Sequence, residues 1–147
     1  MEIAILGLGC FWGPEIKFSK LDGVIKTEVG YCGGHNAETN YKEVCTGTTN
    51  HAEVVKLEFD PNIITYENII EIFFEFHDPT TLNSQGPDFG TQYRSEIFYE
   101  NENQKETASN VLKKVDKKLL GKVVTKISPI NNYCKAEEYH QRYLEKN

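Results

Sequence analysis

The sequence has 147 residues, with 16 Lys and Arg set against 22 Asp and Glu for a net charge of −6, which argues against nucleic acid or an anionic membrane surface as a partner. Its length suits a single domain, residues 1–147, and its 39% hydrophobic and 26% charged residues are those of a globular chain rather than a disordered one. No apolar run approaches the ~20 residues that a spanning helix needs.

Met1 to Leu6 is apolar but short, lacks a basic flank and leads into Gly9-Cys10, so it reads as the first strand of a cytoplasmic protein and not as a signal peptide. Residues 3–8 form that strand, apolar enough to be central in a sheet. Pro14 suits the first turn of a helix that carries Ile16, Phe18 and Leu21 and stops at Asp22-Gly23. Ile25, Thr27 and Val29 alternate with Lys26 and Glu28, the period of two of a second strand. Residues 30–50, rich in Gly, Asn and Thr, form a long ordered loop, and Val55, Leu57 and Phe59 mark the next strand. Thr65 caps a helix with Ile69, Ile70, Phe73 and Phe74 at helical spacing. A second polar loop covers 77–92. A strand over 95–99, an amphipathic helix over 101–120 ending at Gly121, a strand over 123–127 and a terminal helix over 136–146 complete the chain. This order predicts an α+β fold: a two-layer plait with a ferredoxin-like core, its mixed, mostly antiparallel sheet covered by helices, plus long ordered loops.

The four cysteines, Cys10, Cys32, Cys45 and Cys134, show neither C-x-x-C spacing nor any other metal-ligand pattern, and nothing signals secretion. Each is therefore a small core side chain or a chemical tool, with no metal expected. Cys10 stands where a strand gives way to a helix, so unpaired N–H groups and the helix dipole are expected to favour its thiolate and lower its pKa. Phe11 and Trp12 follow it between Gly9 and Gly13, suited to wall an apolar pocket beside the sulfur.

Gly9-Cys10-Phe11-Trp12-Gly13, with Glu15 two positions on, resembles the catalytic signature of the peptide methionine sulfoxide reductase A family. Further stretches agree in order: Gly30 to Gly34, Tyr41 to Cys45, His51 to Val55, His77 to Thr80, Gly86 to Ser95 and Ala136 to Gln141. The resemblance implies thiol-dependent reduction of methionine S-sulfoxide, free or in oxidised proteins, with Cys10 as nucleophile and a sulfenic acid left on it. It implies Glu53 as the acid that protonates the departing oxygen, provided an apolar surrounding raises its pKa. Tyr41 and Tyr93 match tyrosines that contact the sulfoxide oxygen, Asp88 an aspartate that lines the site, and Phe11 and Trp12 the rings that hold the S-methyl group. No bound cofactor is implied.

A further thiol must clear the sulfenic acid. Many relatives use cysteines in a Gly-rich tail, and this chain stops at Asn147 without one. The expectation is a one-cysteine cycle served by an external reductant, a glutaredoxin/glutathione or thioredoxin system, with an internal disulfide to Cys134 as the alternative and Cys32 and Cys45 in less apt places. A thiol peroxidase using the same cysteine, or a non-catalytic redox sensor, are the competing readings. Some members of the family carry selenocysteine where Cys10 stands.

Overall fold

The computed structural model describes residues 1–146. Strand β1 (Glu2–Leu8) is buried from Ala4 to Leu8, the signature of a strand with neighbours on both edges and cover on both faces. It pairs antiparallel with β3 (Ala52–Phe59) on one side and with β6 (Ser95–Tyr99) on the other. β3 pairs antiparallel with β2 (Val24–Cys32), β2 with the two-residue β8 (Cys134–Lys135), and β7 (Lys126–Pro129) runs parallel to β6. The six-stranded order is β7-β6-β1-β3-β2-β8, with a separate small hairpin of β4 (Ser84–Gln85) and β5 (Asp88–Phe89).

Because β1 and β2 are both antiparallel to β3, they run the same way and need a crossover, which α1 (Trp12–Ser19) supplies; α3 (Tyr66–Glu75) does the same between β3 and β6. The core of the plait is thus β-α-β-β-α-β, as the element order predicts. Phe18 of α1, Ile69, Ile70 and Phe73 of α3, and Ala108 and Val111 of α4 (Glu102–Lys118) pack on the alternate sheet residues Ala4, Leu6, Val29, Tyr31, Val55 and Leu57. The other face carries Ile5, Cys32, Val54 and Phe98, covered partly by Ile130 and Tyr133.

Several boundaries differ from those read in the sequence. β2 runs on into the glycine-rich segment as far as Cys32, β3 begins just after it at Ala52, and a short helix, α2 (Tyr41–Cys45), interrupts it, its N-cap Asn40 accepting the Glu43 N–H at 2.9 Å. The last strand of the plait lies at 126–129 rather than 123–127, since Val124 spends its N–H on Pro79 O at 2.8 Å. The terminal helix expected over 136–146 is instead a strap: β8, one 3-10 turn at Glu138–His140, and α5 (Tyr143–Lys146). Two features break the helix. The Gln141 side chain accepts from Val29 N–H at 2.9 Å and donates to Val29 O and Ala136 O, behaving like an added strand residue, and Arg142 turns the backbone to φ 50°.

Candidate active site

β1 ends, β3 begins and β2 ends at the same edge of the helix-covered face. Leu6 lies opposite Val55, and Tyr31 opposite Glu53, so Glu53 is level with the end of β1 where Cys10 follows. Gly9 makes the bend at φ +99°, and a Cβ there would come within 2.9 Å of Gln85, so a bare backbone is what lets the β4–β5 hairpin close over the turn.

Cys10 is half-buried at this turn. Burial pushes its thiol up to about 11; the Trp12 N–H works against this, and the Glu53 and Asp88 carboxylates add to the rise. This corrects the expectation of a lowered pKa. The start of α1 supplies one hydrogen bond, and loss of water outweighs it.

Glu53 is only 1% exposed. Burial raises its carboxyl from 4.5 to about 8, with the Phe11 N–H lowering it and Asp88 raising it further. Oε1 accepts that Phe11 N–H at 3.4 Å; Oε2 is buried with no hydrogen-bond partner among the described residues. A carboxylic acid that is protonated at neutral pH, with one oxygen unengaged, is a proton donor awaiting an acceptor.

Tyr41 and Tyr93 stand beside it. Burial raises both phenols, and the two act on each other and feel Glu53. The exposed Cys45 thiol is near enough to help raise the Tyr41 phenol, an influence the sequence did not disclose. Asp88, on the hairpin, is close enough to act on Cys10, Glu53 and Tyr93. Phe11 is buried between Tyr31 and His140, at ring centroid distances of 5.8 and 5.2 Å. Trp12 stacks on Tyr143 at 3.8 Å and donates its indole N–H to His140 Nδ1 at 3.1 Å. Thus Cys10, Glu53, Tyr41, Tyr93, Asp88, Phe11 and Trp12 converge on one place.

The strap supplies residues for which the sequence offered no role. Glu137 accepts the Tyr31 hydroxyl at 2.9 Å and the Tyr41 N–H at 3.0 Å, fixing α2. His140, buried and held neutral by desolvation, packs against Phe11, Trp12, Tyr41 and Tyr139. Their only signal was membership of the stretch from Ala136 to Gln141. Arg94, paired with Glu96 at 2.6 Å, donates to Asn50 O and Thr91 O, so one guanidinium braces the segments leading to Glu53 and to Tyr93. Gly34 leaves room for His51, whose ring a Cβ there would meet at 2.1 Å.

The remaining cysteines are elsewhere. Cys32 is on the opposite face of the sheet, its thiol donating to Asn131 O. Cys134 lies opposite Tyr31 on β8, three strand spacings from β1, roughly 14 Å at ~4.8 Å each, whereas a disulfide needs Cα atoms within about 7 Å. Among the described residues, no cluster of three or more His, Cys, Asp or Glu side chains is arranged to hold a metal ion, and no helix is long and apolar enough to cross a membrane.

A half-buried thiol, a buried acid and two phenols beside the Phe11 and Trp12 rings suit a ligand with a proton-accepting oxygen beside a small apolar group. Comparison with known proteins agrees. The sequence profile described as peptide methionine sulfoxide reductase matches residues 2–147. A relative from Pelagibacter ubique (strain HTCC1062), named peptide methionine sulfoxide reductase MsrA, is 76% identical over 146 residues, 99% of each chain. Among solved structures, reduced Mxr1 from Saccharomyces cerevisiae matches with a TM-score of 0.95 at 40% identity, covering 99% of this chain and 85% of that one. Mxr1 in complex with Trx2 matches at 0.69 and 26% identity, covering 97% and 84%.

Proposed function

Because the chain belongs to the peptide methionine sulfoxide reductase family and is a peptide-methionine (S)-S-oxide reductase, we propose the following route by which its residues reduce the sulfoxide. The substrate's methyl group sits against Phe11 and Trp12, and its oxygen faces Glu53, Tyr41 and Tyr93. Glu53 gives its proton to that oxygen as the Cys10 sulfur attacks the sulfoxide sulfur. The Cys10 proton passes to the carboxylate so formed, and the S–S bond made by the attack breaks as the hydroxyl moves from the substrate sulfur to Cys10. In balance, R–S(=O)–CH3 and Cys10–SH become R–S–CH3 and Cys10–SOH: the substrate sulfur gains two electrons, Cys10 loses two, and the oxygen ends on Cys10. A protonated Glu53 also withdraws one of the two negative charges that oppose Cys10 ionisation.

The observation that carries this reading is the buried Glu53 carboxyl, pushed up to about 8, with Oε2 unpartnered beside Cys10. Its test is incubation with racemic methionine sulfoxide and dithiothreitol, following each epimer. Loss of the S epimer alone, abolished in Cys10→Ser, supports the reading; an untouched S epimer sinks it.

The sulfenic acid is cleared by an external thiol. That thiol attacks Cys10, water leaves, and a second thiol of the reductant frees Cys10 from the mixed disulfide. The separation of Cys134 from β1 and the burial of Cys32 on the far face favour this over an internal disulfide. The Mxr1 complex with Trx2 favours a thioredoxin-type protein as the donor. One equivalent of sulfoxide without reductant is expected to leave a trappable sulfenate, not a 2 Da loss. Cys134→Ser is expected to keep turnover with thioredoxin, and so is Cys45→Ser, which removes the exposed thiol nearest Tyr41 from the cycle.

A further inference from the structure

Trp12, a wall of the pocket, owes its position to a part of the chain 128 residues away in sequence. His140 accepts the indole N–H, and Tyr143 covers the ring at 3.8 Å and an interplanar angle of 11°. Between these two contacts lies Arg142, in the left-handed region at φ 50°, a conformation that is strained for a non-glycine residue unless its surroundings hold it. The Arg142 side chain is exposed and does not do this. What meets the turn is Glu15, one turn along α1 from Trp12.

Glu15 is 2% exposed, an unusual place for a carboxylate. Oε1 accepts the Arg142 N–H at 2.7 Å and Oε2 accepts the Thr27 hydroxyl at 2.9 Å. Thr27 belongs to β2, the strand that Gln141 also grips, at Val29. The carboxylate therefore links three parts: the helix that carries Trp12, the strand beneath it, and the backbone turn that presents His140 and Tyr143 to the indole.

We infer that Glu15 is a positioning residue for the substrate pocket: by holding the Arg142 turn it sets His140 and Tyr143 around Trp12, and so governs how firmly the methyl side of the sulfoxide is held. The inference rests on the proposed role of Trp12 as a pocket wall. The ordinary role for an acid in a first helical turn is to oppose the helix dipole, and the two roles predict opposite behaviour from two conservative variants. Glu15→Gln keeps the length, offers an oxygen to the Arg142 N–H and an amide to the Thr27 oxygen, and loses the charge. Glu15→Asp keeps the charge but is one methylene too short to meet both partners.

Trp12 is the sole tryptophan, so emission excited selectively at the indole, beyond tyrosine absorption, reports this site alone. Glu15→Gln is expected to retain the wild-type emission and KM. Glu15→Asp is expected to shift the emission and raise KM for methionine S-sulfoxide about tenfold, with the single-turnover rate at saturation within about twofold, because binding and not chemistry is loosened. Tyr143→Leu, at a half-buried position, is expected to reproduce both changes and keeps the test readable if Glu15→Asp folds poorly by circular dichroism. A normal Asp variant with an impaired Gln variant would overturn the inference in favour of the dipole. Unchanged emission in both Glu15→Asp and Tyr143→Leu would overturn it as well. Wild-type protein that leaves the S epimer intact would fail the functional reading instead, and the emission comparison would still decide whether Glu15 holds Trp12.

Discussion

Glu53 and Cys10 both carry their protons at pH 7, the first pushed up to about 8 and the second to about 11 by loss of water. On the proposed route, the single-turnover rate at saturating sulfoxide is therefore expected to fall as pH rises through about 8, where Glu53 loses the proton that the route assigns to the departing oxygen. Glu53→Gln is expected to abolish that limb and lower the rate by about 10²–10⁴-fold, the usual worth of a positioned acid; stopped-flow measurement across pH 6–10 checks both. The same shift sets a stability slope. With its folded value near 8 above the ordinary 4.5, Glu53 binds more proton in the folded state between those values, so stability falls as pH rises through that window. Urea midpoints of wild type and Glu53→Gln are expected to diverge in favour of the variant from pH 4.5 to 8 and to run parallel above it. A constant difference would mean that burial is not the cause. The residues that the structure gathers at the candidate site were legible as motif members, Cys10 to Trp12 in one stretch and Glu53, Asp88 and Tyr93 in others. The acidity of Cys10 was not, because the helix start is visible locally whereas the desolvation and the opposing carboxylates arrive from residues 53 and 88.

At the next scale, elements were legible where their own residues decide them. Thr65 and Asn68 exchange hydrogen bonds in a capping box, and Ile69, Ile70, Phe73 and Phe74 then face the core, so α3 is written in its own ten residues and its cap. Thr65→Ala is expected to cost about 1 kcal/mol of unfolding free energy while leaving kcat and KM unchanged, since the cap is remote from Cys10. Denaturant melts alongside the steady-state assay check it. By contrast α2, at five residues, is too short to show a period, and it is stabilised by Asn40 and by the Glu137 carboxylate from the strap. The strap itself reads as helix by composition and is not one, because Gln141 and Arg142 answer to β2 and to Glu15 rather than to each other. An element whose hydrogen bonds go to distant partners leaves no periodic trace.

For the molecule as a whole, the plait gathers three chain segments at one edge of the sheet: the end of β1, the start of β3 and the end of β2. α1, the β4–β5 hairpin and the strap close over them. The order β-α-β-β-α-β was predictable because each strand and each crossover helix was recognisable, and the antiparallel neighbours follow from it. The additions at the edges, β7 beside β6 and β8 beside β2, were less so, since both are short and joined by backbone hydrogen bonds more than by apolar pattern.

The sequence distances spanned by the strap predict an order of events in folding. Gln141 reaches Val29 across 112 residues and Trp12 reaches His140 across 128, and contacts so remote must wait for the closure of a long loop. In refolding from urea, far-UV circular dichroism is expected to recover first, with Trp12 emission and the sulfoxide-dependent burst following together. If the burst returned with the circular dichroism, the strap would not be the last part to close. On this expectation, a chain whose strap is still open would have Glu53 in water as an ordinary carboxylate, so reactivity toward the sulfoxide is expected to begin only when folding is finished, and a half-folded protein would be kept from spending its thiol.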